Sequence, residues 1–131
     1  MNAEETKQIL AILKAAYPSS YSGMTKKEAY GVITVWSVQF ADLPADVVLM
    51  AVQKAISSSK FPPTIAEVKE KVKSIYWEAY DAIADPSLQE TDRKQYERIY
   101  ACTRKYKFMA AGEPRIAMLL GKNEPEKLIG G

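Results

Sequence analysis

The residue types present bound the chemistry first. The chain has 131 residues, no histidine and one cysteine, Cys102. Without histidine there is no Ser-His-Asp or Cys-His machinery and no imidazole general base. One Cys and no His cannot build a structural zinc site, and no cofactor is expected. The six glycines form neither GxGxxG nor GxxxxGK[ST], so neither nucleotide-binding loop is encoded. Acidic residues lie on amphipathic stretches rather than in apolar runs, where carboxylates are solvated rather than tuned for acid–base work. Cys102 has no neighbour that would activate it, and a structural thiol is the default. No catalytic or metal-ligating residue is nominated. The chain is expected to work by binding rather than as an enzyme.

Binding residues concentrate in one stretch. Residues 87–112 hold Arg93, Lys94, Arg98, Arg104, Lys105 and Lys107 against Glu90, Asp92 and Glu97, a window charge of +3. Residues 61–86 carry −2, so charge is segregated along the chain. Five of the eight tyrosines fall between Tyr76 and Tyr106, with i,i+4 pairs at Tyr76/Tyr80 and Tyr96/Tyr100. One reading is a basic, tyrosine-laced helix that meets an acidic surface or phosphates. The other is a solvated face whose tyrosines pack between helices, and for a single residue it carries more weight. Trp77 sits one position off an apolar seam and is the better exposed aromatic anchor, whereas Trp36 reads as core. Leu119 and Leu120, with Met109 and Met118, form either a sticky patch or a cap on the bundle. The candidate partner-binding set is Trp77, Arg93, Lys94, Arg98, Arg104, Lys105, Lys107, Leu119 and Leu120.

The elements that position these residues read as helices throughout. Asn2 with Glu5 caps a first helix to about Ala16, with Ile9, Ile12, Leu13, Ala16 and Tyr17 on one face; Pro18 ends it and 18–23 is a connecting loop. Thr25 with Glu28 caps a second helix whose inner face is Ala29, Val32, Ile33, Trp36 and Phe40. Gly31 either weakens that helix or marks a close contact. Pro44 suits the first turn of a third helix with a stripe at Val47, Val48, Ala51, Val52, Ala55 and Ile56. Ser57-Ser58-Ser59 is expected to fray its end. Pro62-Pro63 then stops the chain, and Thr64 with Glu67 caps a fourth helix over 65–84. Ile65, Val68, Val72, Ile75, Ala79 and Ala82 give it a 3-4-3-4-3 seam, and Glu67–Lys71 makes an i,i+4 pair. Asp85-Pro86 is a turn, after which Ser87 with Glu90, or Asp92 with Gln95, caps a fifth helix with Tyr96, Ile99, Thr103 and Tyr106 inward. Helices four and five would pair as an antiparallel hairpin. Pro114 opens a short last helix to Leu120.

The fold class is therefore all-α, a small bundle of about five helices plus a short C-terminal one. The organisation reads as a core over 1–84, a helical extension over 85–121 and a mobile tail over 122–131. The +2 net charge argues against nucleic-acid binding by the chain as a whole. No apolar run reaches the ~20 residues of a membrane span. One cysteine and an acidic start without a signal-peptide core point to the cytosol.

Three stretches carry a resemblance. Glu4 through Pro18, the second helix with Val35-Trp36, and above all Lys60-Phe61-Pro62-Pro63-Thr64-Ile65-Ala66-Glu67-Val68-Lys69 look like the phage replicative-helicase loader/inhibitor family, over about residues 3–76. The resemblance implies a bacteriophage protein acting in the cytoplasm of an infected or prophage-carrying bacterium. It would bind the hexameric replicative helicase, hold it inactive and help load it at the origin through the phage initiator. The resemblance also implies a C-terminal part that contacts the helicase and is unstructured when free. The periodicity of residues 87–107 departs from that and predicts order. The alternative from a different class is a small helical DNA-binding regulator using the basic helix near 93–107. A structural component of a phage particle is a third reading, without a repeat or long coiled coil to support it.

Overall fold

The computed structural model describes residues 1–108. Six α-helices and a short 3-10 helix make up the regular structure among them: α1 (Ala3–Ala16), α2 (Pro18–Tyr21), α3 (Lys26–Gln39), α4 (Ala45–Ser57), α5 (Ile65–Ala84), α6 (Glu90–Thr103) and the 3-10 helix Arg104–Tyr106. The all-α class read from the sequence is what the described residues adopt. The expected last helix after Pro114, Met109, Met118, Leu119, Leu120 and the tail lie outside the described residues.

The chain divides into two compact units, Met1–Val68 and the remainder from Lys69. The division falls inside α5, upstream of the Asp85-Pro86 turn at which the sequence ends its core. In the first unit α1 packs on α2, α3 and α4. Its apolar interior is Ile9, Leu10, Leu13, Trp36, Phe40, Leu43, Val47, Val48, Ala51, Val52, Ala55 and Val68, all buried. Trp36 and Phe40 meet with ring centroids 5.5 Å apart. One polar link crosses from α1 to α3: the Thr6 hydroxyl donates to Asn2 O at 2.7 Å and shares a 2.9 Å hydrogen bond with Ser37 Oγ. The Met1 amino group donates to Leu43 O at 2.6 Å.

Capping boxes start three helices where the sequence places them. Asn2/Glu5 and Thr25/Glu28 close α1 and α3 reciprocally. At α5, Thr64 N–H donates to Glu67 Oε1 at 2.8 Å and Glu67 N–H to Thr64 Oγ1 at 3.1 Å. Glu67 is thereby committed to the cap, and an ion pair of this helix is instead Lys73–Glu70 at 3.4 Å. The seam from Val68 through Ala79 is buried, with Ile65 and Ala82 half-buried at its ends.

Several local expectations change. Pro18 ends α1 but also opens α2, a single turn inside the expected loop, because its fixed φ suits a first helical position. Gly23, at φ 79°, then turns the chain where a side chain would be strained. Gly31 is not a close contact: a Cβ there would meet nothing within 4 Å. Pro44 is the N-cap of α4 rather than its first turn, with ψ at 150°. Ser57 and Ser58 tie the end of α4 instead of fraying it. Their hydroxyls donate to Lys54 O at 2.8 and 3.3 Å, and Ser58 also reaches Ala55 O, satisfying carbonyls that the helix end leaves open. On α1, Leu10 joins the buried face and Ala16 is exposed.

Candidate protein-binding surface

In the second unit α5 and α6 run antiparallel. The residue pairs that meet fix the direction: Ile83 with Arg93, Tyr80 with Tyr100, Trp77 with Lys107. The pairing predicted from the periodicity is therefore present. The turn between them is built on Asp85, whose Oδ1 accepts from Ser87 N–H at 2.9 Å and Ser87 Oγ at 2.8 Å. Those bonds, and after them the nearby Arg93, hold the Asp85 carboxyl below its usual pKa. Ser87 is thus spent on the turn and does not cap α6. The N-cap is Gln89, without a side-chain bond, and Glu90 and Asp92 in the first turn favour the helix dipole instead.

Four aromatic rings join the helices. Tyr76 stacks on Tyr100 with centroids 5.0 Å apart and planes at 21°; Trp77 stands edge-on to Tyr76 at 5.0 Å and to Tyr80 at 5.5 Å. Tyr76 is buried, and burial first, then a hydrogen bond with Tyr100 and the proximity of that phenol, push its pKa up to about 12. Tyr80 and Trp77 remain 48% and 37% exposed, so the outer edge of the cluster is a water-facing aromatic surface. Beside it lies an open groove of about 380 Å³ lined by Tyr80, Ile83, Ala84, Glu97 and Tyr100.

The candidates divide by what their groups already do. Arg93 is half-buried, donating through Nη1 to Ile83 O at 2.8 Å and through Nη2 to Asp85 O at 3.2 Å, so it holds the end of α5. Trp77 is exposed at its rim, but its indole N–H donates to Lys107 O at 3.1 Å. Lys107 Nζ lies 5.2 Å from the Phe108 ring centre, and Lys105 Nζ 5.8 Å from that of Tyr106. Arg104 is exposed. Arg98 is also exposed and reaches Gln95 at 3.4 Å. Turning about 100° per residue brings Lys94 and Arg98 within about 40° of each other on the exposed side of α6, roughly opposite the buried Ile99 and Thr103. Continuing at about 120° per residue through the 3-10 helix sets the exposed Lys105 about 60° from Lys94, so a basic stripe runs on past the end of α6. Leu119 and Leu120 lie outside the described residues.

The groove and its Glu97 rim have no counterpart among the sequence-based candidates, because they depend on how the two helices pair. The matching i,i+4 tyrosine pairs are the available signal for the ring cluster. Cys102 is half-buried and its thiol donates to Ile99 O at 3.4 Å. Among the described residues no three or more His, Cys, Asp or Glu are grouped to hold a metal ion, and no helix is long and apolar enough to cross a membrane.

The described residues define a class: a small all-helical protein with one unit of four helices, two of them opened by capping boxes, and a two-helix hairpin that carries aromatic and basic faces. A family model for the N-terminal domain of the phage gene 39 protein matches residues 1–69. The chain belongs to that family, whose gene 39 protein is a helicase loader/inhibitor in DNA replication and a regulatory adaptor rather than an enzyme. The matched segment ends within about one residue of the first compact unit; the α6 stripe and ring cluster lie beyond it. Comparison with curated proteins and with solved structures finds no match.

Proposed function

We propose that this chain is a phage DNA-replication adaptor that binds the hexameric replicative helicase, inhibits it and helps load it at the origin through the phage initiator. The family match over the whole first unit carries this reading. The chain acts in the cytoplasm of a phage-infected or prophage-carrying bacterium. With no nucleotide-binding loop in its sequence, it works stoichiometrically, through unequal affinity for helicase states. The second unit supplies part of the contact, with Lys94, Arg98 and Lys105 facing carboxylates on the helicase and Trp77 and Tyr80 offering an aromatic edge. The contact then draws on both the core over 1–84, through Trp77 and Tyr80, and the extension over 85–121, through Lys94, Arg98 and Lys105.

Titrating the full chain into the cognate helicase tests it. Co-elution and a loss of helicase ATPase that saturates at a fixed molar ratio are expected. Reversing Lys94, Arg98 and Lys105 to Glu should slow association about tenfold or more at low salt. A chain that neither co-elutes nor alters the ATPase refutes the reading. The same stripe favours a second reading, a small DNA-binding regulator. That reading expects duplex or single-strand binding that falls steeply with salt and is abolished by charge reversal at Arg98 and Arg104.

A further inference from the structure

The loop between α4 and α5 holds one aromatic ring in water and fixes the backbone beneath it. Phe61 is 70% exposed. Ser59 Oγ donates to Phe61 O at 2.6 Å and accepts the Phe61 N–H at 3.3 Å, so a single hydroxyl grips both polar groups of that residue. Ser59 is itself held: its N–H donates to Ile56 O at 3.4 Å, and the Tyr17 hydroxyl, arriving from the end of α1, donates to Ser59 O at 3.0 Å. On the other side Pro62 restricts Phe61 to extended conformations, Pro63 is buried, and the Thr64–Glu67 box locks the start of α5. The fold gains little from a ring left mostly in solvent, yet the residue carrying it is restrained from both directions.

A single exposed apolar side chain is ordinary on a protein surface. An exposed ring on a backbone immobilised in advance is a different object, because the ordering that binding normally costs has already been supplied by folding. Aromatic residues seated in apolar pockets are the usual energetic centres of protein interfaces. The only charged residue from Ser57 to Pro63 is Lys60, adjacent to the ring. One cation is too few for a nucleic-acid contact, which accumulates affinity over many phosphates. One ring with one lysine is equally too little for a membrane surface. It fits an apolar protein pocket with a carboxylate at its rim.

We propose that Phe61 is a preorganised anchor that inserts into a phenyl-sized apolar pocket on a protein partner, with Lys60 paired to a carboxylate at the pocket edge. The inference rests on the helicase-adaptor reading, which supplies the partner, and gives the first unit a contact of its own. The test uses the full chain against the cognate replicative helicase. Phe61→Ala should raise Kd about 30-fold or more, the scale of a hot-spot truncation. Its Tm should stay within about 1 °C of the parent, since the ring is largely exposed. Ser59→Ala keeps the ring but releases its backbone, and should raise Kd about 3- to 10-fold. Parental affinity in either variant overturns the anchor while leaving the adaptor reading in place. A parent chain that does not bind the helicase overturns both. Unchanged helicase affinity with loss of single-stranded DNA binding in Phe61→Ala would assign the ring to nucleic acid, against the proposal.

Discussion

Replacing Arg93 by alanine distinguishes a residue that holds the fold from one that meets a partner. In the structure its guanidinium spans the end of α5, with 2.8 Å to Ile83 O and 3.2 Å to Asp85 O. The last carbonyls of a helix have no partner within it, and a cation there also favours the helix dipole. A hydrogen bond involving a charged group contributes about 1.5–3 kcal/mol when well buried. Here the first bond is part-buried and the second is longer and exposed, and water can replace both. A net loss of about 1–2 kcal/mol follows, below the value for a single buried bond. The loss should be local to the hairpin. Opening that exposes the α6 amides would become about 5- to 30-fold more frequent, and their hydrogen exchange faster by the same factor, while amides of α4 keep their parental rates. Arg93→Lys should recover part of the protection, because an ammonium keeps the charge but lacks the planar fork that reaches both carbonyls. Parental exchange in the alanine variant would refute the capping argument. If helicase affinity alone fell, Arg93 would belong to the contact surface.

Thr64→Ala removes one half of the α5 capping box and should lower stability to denaturant by about 1 kcal/mol, with little change in the m-value. Tyr76 makes stability fall at high pH. Its folded pKa of about 12 lies above the ordinary tyrosine value of 10.0, so its stabilising contribution is complete below about pH 10 and is lost as pH rises towards 12. A spectrophotometric titration should lose a late-ionising phenol in Tyr76→Phe, while Tyr21, also raised by burial and then by nearby Tyr17, keeps its own late step. Asp85 acts at the other end: its lowered carboxyl contributes above its unfolded value of 3.8, and the contribution is lost as pH falls through its lower folded value. Ser87→Ala should raise the Asp85 pKa, read from its carboxyl chemical shift, and weaken that acid dependence.

The helices are legible in the sequence because their signals are local and agree with one another. Capping residues and 3–4 spacing mark the same boundaries at Ala3, Lys26 and Ile65, and Pro62-Pro63 add to the last. What stays hidden depends on atoms distant in sequence or on rivals for one donor. Ser87 suits an N-cap by its type, but Asp85 two residues upstream takes both its hydroxyl and its amide. The serines after Lys54 look like a fraying end until each hydroxyl is traced to a carbonyl. Arg93 and Lys94 are neighbours with the same charge, yet only Arg93 lies on the side of α6 that reaches the end of α5. The groove beside Tyr80 needs the register of two helices, which a periodicity alone leaves free.

An adaptor that works by occupancy has an energetic requirement that bears on how its contacts are arranged. Moving a two-state helicase from 1:99 to 99:1 in favour of the inhibited form takes about a 10⁴-fold difference in affinity. One hot-spot side chain supplies roughly 30-fold of that when its contact exists only in the inhibited state. Removing it would leave about a 300-fold preference and roughly three-quarters of the helicase still inhibited at saturation. The requirement is therefore met more readily by several separated contacts than by a single focus. On the proposed reading the contacts are divided in that way, with Phe61 on one unit and an aromatic edge with a basic stripe on the other. The family match ends where the first unit ends, so on that reading the contacts of the second unit lie outside the segment the family model describes.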